Sequence, residues 1–164
     1  VSQTVYTLDH AVAYAGQIAD VYIGQDITSF PASEVIPAGR MCEVVAGKAR
    51  LVQGTGQDST TLGGVSCYNA MAIPGGYQIG DMVPLLRNGR IWVDFVGTGA
   101  TELEDAKYSH SSTVATDRGK FTDAASAAGA GVEVSAVVGK FRDRPAGPGG
   151  SPAIACVELR LPAT

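Results

Sequence analysis

Only a few residues in this chain have the chemistry of a site, and their spacing decides what they can do. Ser109-His110-Ser111-Ser112 with Asp105 upstream supplies the residue types of a nucleophilic triad. Triad groups meet through a fold and not along one loop, so Asp105, His110 and Ser112 would have to be brought together from a distance. The two histidines, His10 and His110, have no H-x-H or H-E-x-x-H neighbour, so a zinc site would need remote ligands. Glu102, Glu104 and Asp105 could pair as catalytic carboxylates, but they lack the alternating oxygen ligands and fixed glycine of a calcium loop. Gly54-Thr55-Gly56 and Gly97-Thr98-Gly99 look like phosphate cradles only in isolation, since neither opens a helix. There is no G-x-S-x-G, no G-x-x-x-x-G-K-[ST] and no G-x-G-x-x-G before a helix. The sequence predicts no catalytic residue, no metal and no cofactor.

The other chemistry-bearing group is Arg87, Arg90 and Trp92, within Tyr77–Phe95. Asn88-Gly89 predicts a two-residue type I′ turn, which needs positive φ at both central positions. Asp81–Arg87 and Arg90–Phe95 then read as antiparallel partners. Leu86, Ile91, Pro84, Val93, Met82 and Phe95 fall on one apolar face, while Val83, Leu85 and Trp92 fall on the other. The second face is either a second core or a docking patch. Two arginines opposed across a hairpin repel mildly. They either splay into water or meet a carboxylate or main-chain oxygen on a partner, with Trp92 and Leu85 as anchors.

The elements that position these groups read as all-β. Of 164 residues 45% are hydrophobic and only 17% charged, enough for one cored domain. The 21 glycines mark frequent tight turns. Met41–Val45 and Ala49–Val52 form a hairpin around Ala46-Gly47-Lys48. Val65–Ile73, the alternating residues Val132 to Val138, and Ala153–Leu161 read as strands. Gly119-Lys120-Phe121-Thr122-Asp123 and Gly139-Lys140-Phe141-Arg142-Asp143 repeat one turn-to-strand pattern. About seven to nine strands with no strong amphipathic helix predict a compact antiparallel β-barrel or a two-sheet sandwich, the jelly roll among them. Residues 1–40 read as an extended N-terminal arm, because Pro31 and Pro37 forbid a regular ladder. Tyr14, Ile18, Val21, Ile23 and Phe30 give the arm apolar anchors on its own surface or a neighbour's. Residues 41–164 read as a single β-domain.

A net charge of −4 argues against nonspecific nucleic-acid binding. No run of about 18 apolar residues is present for a membrane span, and VSQTVYTLDH does not have the pattern of a signal peptide. Cys42, Cys67 and Cys156 are odd in number and widely spaced, which predicts buried free thiols and a reducing compartment.

The run Gly80-Asp81-Met82-Val83-Pro84-Leu85-Leu86-Arg87-Asn88-Gly89-Arg90-Ile91-Trp92-Val93 resembles the structural cement, or head decoration, proteins of tailed bacteriophages. Further matches are Ala15-Gly16-Gln17-Ile18-Ala19-Asp20, Ile36-Pro37-Ala38-Gly39-Arg40, Gly64-Val65, Gly119-Lys120-Phe121-Thr122 and Val157-Glu158-Leu159, all in the expected order. The segments ELEDAKYSHSS, AASAAGAG and RPAGPGGSP depart from the pattern as long loops. The resemblance implies a compact noncatalytic β-fold, made in the bacterial host cytoplasm. Its implied partner is the major capsid protein, on the outer surface of an assembled head whose adjacent capsomers it clamps. It further implies self-association as a homodimer or homotrimer. The residues expected at capsid or intersubunit contacts are Tyr14, Gln17, Ile18, Leu85, Arg87, Arg90 and Trp92. The alternatives from other classes are a carbohydrate-binding or adhesive β-sandwich, with Trp92 and Tyr77 or Tyr108 as stacking platforms, and a small β-barrel hydrolase.

Overall fold

The computed structural model describes residues 14–19, 25–53, 62–69, 75–96, 102–112, 117–122, 132–134, 137–143 and 154–161. His10, Val21, Ile23, residues 54–61, AASAAGAG and RPAGPGGSP lie outside them. The described chain is all-β, with no α-helix. Ten strands form one curled antiparallel half-barrel sheet. They are β1 (Asp26–Pro31), β2 (Met41–Val45), β3 (Lys48–Leu51), β4 (Leu62–Ser66), β5 (Met82–Asp94), β6 (Asp105–Ser112), β7 (Phe121–Thr122), β8 (Val132–Val134), β9 (Gly139–Asp143) and β10 (Ile154–Arg160).

The order is β3-β2-β4-β5-β10-β9-β6-β7, with β1 also on β5 and β8 on β6. Since β1 and β4 both pair with Leu85 and Leu86, they occupy opposite edges of β5. β1 therefore shares an edge with β10, the two lying end to end along β5: β1 covers Met82–Asn88 and β10 covers Asn88–Asp94. At the two margins the sheet curls back on itself through single bridges, Ala32↔Ala49 and Phe95↔Phe121.

The hairpin expected at Asn88-Gly89 does not form. β5 runs straight through it as a 13-residue strand. Gly89 does take positive φ, +129°, but Asn88 does not, so a type I′ turn is excluded. The positive φ serves a bulge instead. Along β1 the register steps from Ile27↔Leu86 to Asp26↔Asn88, leaving Arg87 as the extra residue. Val83 and Leu85 face one core, while Leu86, Ile91 and Val93 face the other, so the in–out alternation slips by one between Leu86 and Ile91. One strand thereby serves two cores. The apolar set Leu86, Ile91, Val93 and Phe95 holds together as expected, whereas Met82 is exposed and Pro84 half-buried.

The true type I′ geometry sits in the β2–β3 loop, where Ala46 and Gly47 have φ of 50° and 74°. β1 is a second departure. Pro31 ends that strand without preventing its ladder, because proline is tolerated at a strand terminus where its missing N–H breaks no bond. The observed strand is Leu62–Ser66, which begins three residues before the expected Val65–Ile73 and shares only Val65 and Ser66 with it; Cys67–Asn69 leave the ladder, and residues 70–74 are outside the described set. The two G-K-F repeats do lead into strands, β7 and β9.

The main core gathers Ile91, Val93, Ala155, Val157, Leu159, Tyr108, Phe121 and Phe141 with residues of β2 and β4. Phe95 and Phe141 meet edge to face, centroids 5.5 Å apart, an arrangement that adds about 1 kcal/mol to their burial. The smaller core holds Ala32, Ile36, Cys42, Ala49, Leu51, Tyr77, Val83 and Leu85. All three cysteines are free and buried. Burial pushes the Cys42 thiol up to about 12 and that of Cys67 to about 11.

Candidate interaction surface

Because Ile91 and Val93 point into the main core, their neighbours Arg90, Trp92 and Asp94 point to the outer face. The sheet register then sets a row of charges across four strands: Asp105 on β6, Lys140 on β9, Glu158 on β10 and Arg90 on β5, each paired with the next. The residues between them along the strands, Ala106, Phe141, Val157, Leu159 and Ile91, face inward. Strand alternation alone separates the charged face from the apolar one.

Glu158 organises this row. Its Oε2 accepts from Arg142 Nε at 2.6 Å, with Arg90 Nε at 3.5 Å. Its Oε1 accepts from Arg160 Nη2 at 2.7 Å and Nε at 3.1 Å. The hydrogen bonds from Arg160 and Arg142 hold the Glu158 carboxyl down, from the ordinary 4.5 to about 2. Lys140 pairs with Asp105 beside the cluster. The arginines border a cleft of about 490 Å³ lined by Asn88, Gly89, Arg90, Arg142, Glu158, Leu159 and Arg160.

The low folded pKa fixes the sign of a pH effect. Stabilisation from the Glu158 cluster is present in full above the unfolded value of about 4.5 and is lost as pH falls through about 2. Wild type should therefore exceed Glu158→Gln in stability by a constant margin from neutral pH down to about 4.5, with the margin closing by about pH 2. Urea unfolding of both chains across that range checks this, and a margin unchanged below pH 2 would contradict it.

Along the other edge of β5 lies the segment 14–19. Gly16 N donates to Trp92 O at 2.6 Å, Trp92 N to Gln17 O at 2.8 Å and Ala19 N to Arg90 O at 2.9 Å, while Tyr68 N donates to Gly16 O. Tyr14 stacks on Tyr68, centroids 5.5 Å apart, with both rings exposed. Of the seven residues expected at contacts, Tyr14, Gln17 and Arg90 are exposed and Trp92 is half-buried, gathered along this part of β5. Ile18 packs against the main core. Leu85 is fully buried in the second core. Arg87 is also buried, its Nη1 donating to Leu62 O at 2.6 Å and its Nε 3.7 Å from Asp26 Oδ2. Arg87 and Arg90 thus meet oxygens of their own chain.

The other candidate groups do not converge. Asp105 and His110 stand five residues apart on β6, about 17 Å along an extended strand. Asp105 meets Lys140, whereas His110 is buried with its ring against Tyr108. Tyr77 and Tyr108 are buried, so neither forms a flat platform for a sugar beside Trp92. Among the described residues no three His, Cys, Asp or Glu side chains come together as a metal site. What sequence reading missed is the contribution of Arg142, Glu158 and Arg160. The signal was present in the alternation of K-F-R in β9 and V-E-L-R in β10, which puts each charge on the face opposite the core residues.

The described residues thus form a curled all-β sheet with a charged outer face. A model of the family described as structural cement protein (E217 gp24/Pam3 gp6) matches residues 1–160, and the chain belongs to that family of bacteriophage capsid proteins. Among solved structures, a chain from the capsid of Myoviridae phage XM1 has the same fold, with a TM-score of 0.71 over 97% of each chain at 14% identity. No curated protein matches.

Proposed function

We propose that this chain is a noncatalytic cement protein that binds the outer surface of an assembled phage capsid and stabilises it by clamping adjacent major capsid proteins. The observation that carries this reading is the family match along residues 1–160. A protein that binds the assembled shell and not its dissociated subunits shifts the equilibrium toward the shell, by RT ln(1 + [L]/Kd) per site. Many symmetric copies multiply that term without any single strong contact. Synthesis in the bacterial host cytoplasm and residence on the virion exterior follow from the same reading. So does assembly as a homodimer or homotrimer, without cofactor, membrane or direct nucleic-acid contact.

In this reading residues 1–40 act as the arm that ties the 41–164 β-domain to its surroundings. Tyr14, Gln17, Arg90 and Trp92 make the capsid or intersubunit contacts, and Ile18, Leu85 and Arg87 hold the strands beneath them. Heating undecorated, expanded heads with increasing amounts of the chain tests the clamp. The temperature of shell disruption should rise with chain concentration until sites saturate. A disruption temperature that does not move with bound chain would sink the clamping role.

A further inference from the structure

β1 has an outer edge that turns main-chain groups to solvent. Ala32 N donates to Asp81 O, just ahead of β5, and Cys67 N donates to Pro84 O, which turns Pro84 toward β4. Both bonds fix the same alternation. Phe30↔Val83 and Thr28↔Leu85 exchange main-chain hydrogen bonds, while Ile27 and Ser29 turn their N–H and C=O groups away from β5. Among the described residues no strand pairs with Ile27 or Ser29 from that side. The edge closes at one end, where the nitrogen of Pro31 carries no hydrogen and Ser33 N donates to Ala49 O on β3. At the other end the bulge at Arg87 breaks the register beside Asp26. Ile27, Thr28 and Ser29 are exposed, Ile27 by 43%. Edge strands are commonly blunted by lysine, proline or an inward charge, and Ile27-Thr28-Ser29 has none of these.

We infer that this edge pairs with the same edge of a second copy, β1 antiparallel to β1 about a two-fold axis at Thr28. The assignment rests on the self-association proposed above and narrows it to a dimer. In an antiparallel ladder, bonded partners both point their main-chain groups across the gap, so Ile27 of one copy faces Ser29 of the other. That register uses every outward N–H and C=O of Ile27 and Ser29, in four interchain hydrogen bonds. Centring the axis on Ser29 would set Ile27 against Pro31, which has no donor. Centring it on Ile27 would set Ser29 against Gln25, outside the strand. The axis at Thr28 also opposes no like charges: each Asp26 lies across from Phe30 of the other copy and keeps its own Arg87, whose Nε is 3.7 Å away. Thr28 meets Thr28, a favourable cross-strand pair. A strand of foreign sequence has no need of this symmetry, whereas a second copy of this chain matches it.

The test places a thiol at the axis. Thr28→Cys should give a disulfide-linked dimer in a glutathione redox buffer, because the Cα atoms of a non-hydrogen-bonded pair lie about 4.5 Å apart, within disulfide reach. Ile79→Cys is the control: it is 72% exposed but lies outside β1 and should stay unlinked. The three native thiols are buried, and peptide mapping identifies the linked residue. In sedimentation equilibrium the wild-type chain should rise with concentration from the mass of one chain to that of two. Ser29→Pro should keep the circular-dichroism spectrum, since its nitrogen faces away from β5. It should weaken dimerisation at least about tenfold by removing two of the four bonds. Equal linking of Thr28→Cys and Ile79→Cys, or a folded Ser29→Pro chain that dimerises like wild type, would overturn the assignment. A trimer in which Thr28→Cys stays unlinked ends the β1 pairing and leaves self-association standing. A chain monomeric at every concentration overturns both, and co-sedimentation with expanded heads reads shell binding separately. On heads, a Thr28→Cys link to the shell protein in place of the homodimer gives the edge to that protein and also overturns the assignment.

Discussion

Gly64→Ala should lower stability by about 4 kcal/mol, a large share of the roughly 5–15 kcal/mol that holds a domain of this size. Gly64 lies in β4 beside β5 with φ of +128°, where a side chain is strained by about 1–3 kcal/mol. A Cβ there would also sit 2.4 Å from the main-chain oxygen of Leu86. Backbone cannot swing aside as a side-chain tip can, so β4 must move off β5, adding an overpacking cost of about 1–3 kcal/mol. The urea midpoint should fall by about 2 M. Gly47→Ala is the control: φ is +74°, but no atom lies within 4 Å of the added Cβ. That change should cost about 1 kcal/mol. Equal losses from the two substitutions would show that β4 and β5 do not approach this closely.

The second large effect falls on binding. Trp92→Ala should weaken attachment to expanded heads by about thirtyfold, about 2 kcal/mol, while the circular-dichroism spectrum is retained. Trp92 lies on the outer face of β5, so truncation leaves the main core intact, and its strand is held by the backbone bonds to Gly16 and Gln17. Tryptophan and arginine dominate interface energies because they bury large areas with few rotors and also donate hydrogen bonds. Undiminished binding by the variant would remove this part of β5 from the contact.

Why these two predictions fall on β5 and its neighbour is partly legible in the sequence. The stretch Tyr77–Phe95 was readable as the organising element, and the grouping of Leu86, Ile91, Val93 and Phe95 survives in the structure. Positive φ at Gly89 was readable too. Its use was not, because a turn and a bulge make the same local demand. Which one forms depends on whether distant strands cover the edges of β5, and β1 and β10 lie about 60 residues to either side. At Ala46-Gly47 the weaker turn signal forms the type I′ loop because β2 and β3 have each other as nearest partners.

The surface shows the same division. Arg90 and Trp92 stood out by type and spacing, and both lie on the outer face of β5. The arginine cleft takes residues from three strands separated by up to about 70 positions in sequence, and only the register Lys140↔Glu158↔Arg90 brings them together. Alternation told which way each charge would point. It could not tell which charges would be neighbours. Arg87 illustrates the limit: it stands on the buried side of β5, opposite to Arg90, and meets Leu62 O, a partner that only the fold supplies.

Co-sedimentation of the purified chain with undecorated, expanded phage heads tests the central claim most directly. The account predicts saturable binding at a fixed number of copies per shell, on the outside of intact heads. A chain that stays in the supernatant with every compatible shell, at concentrations where it is folded, would contradict it.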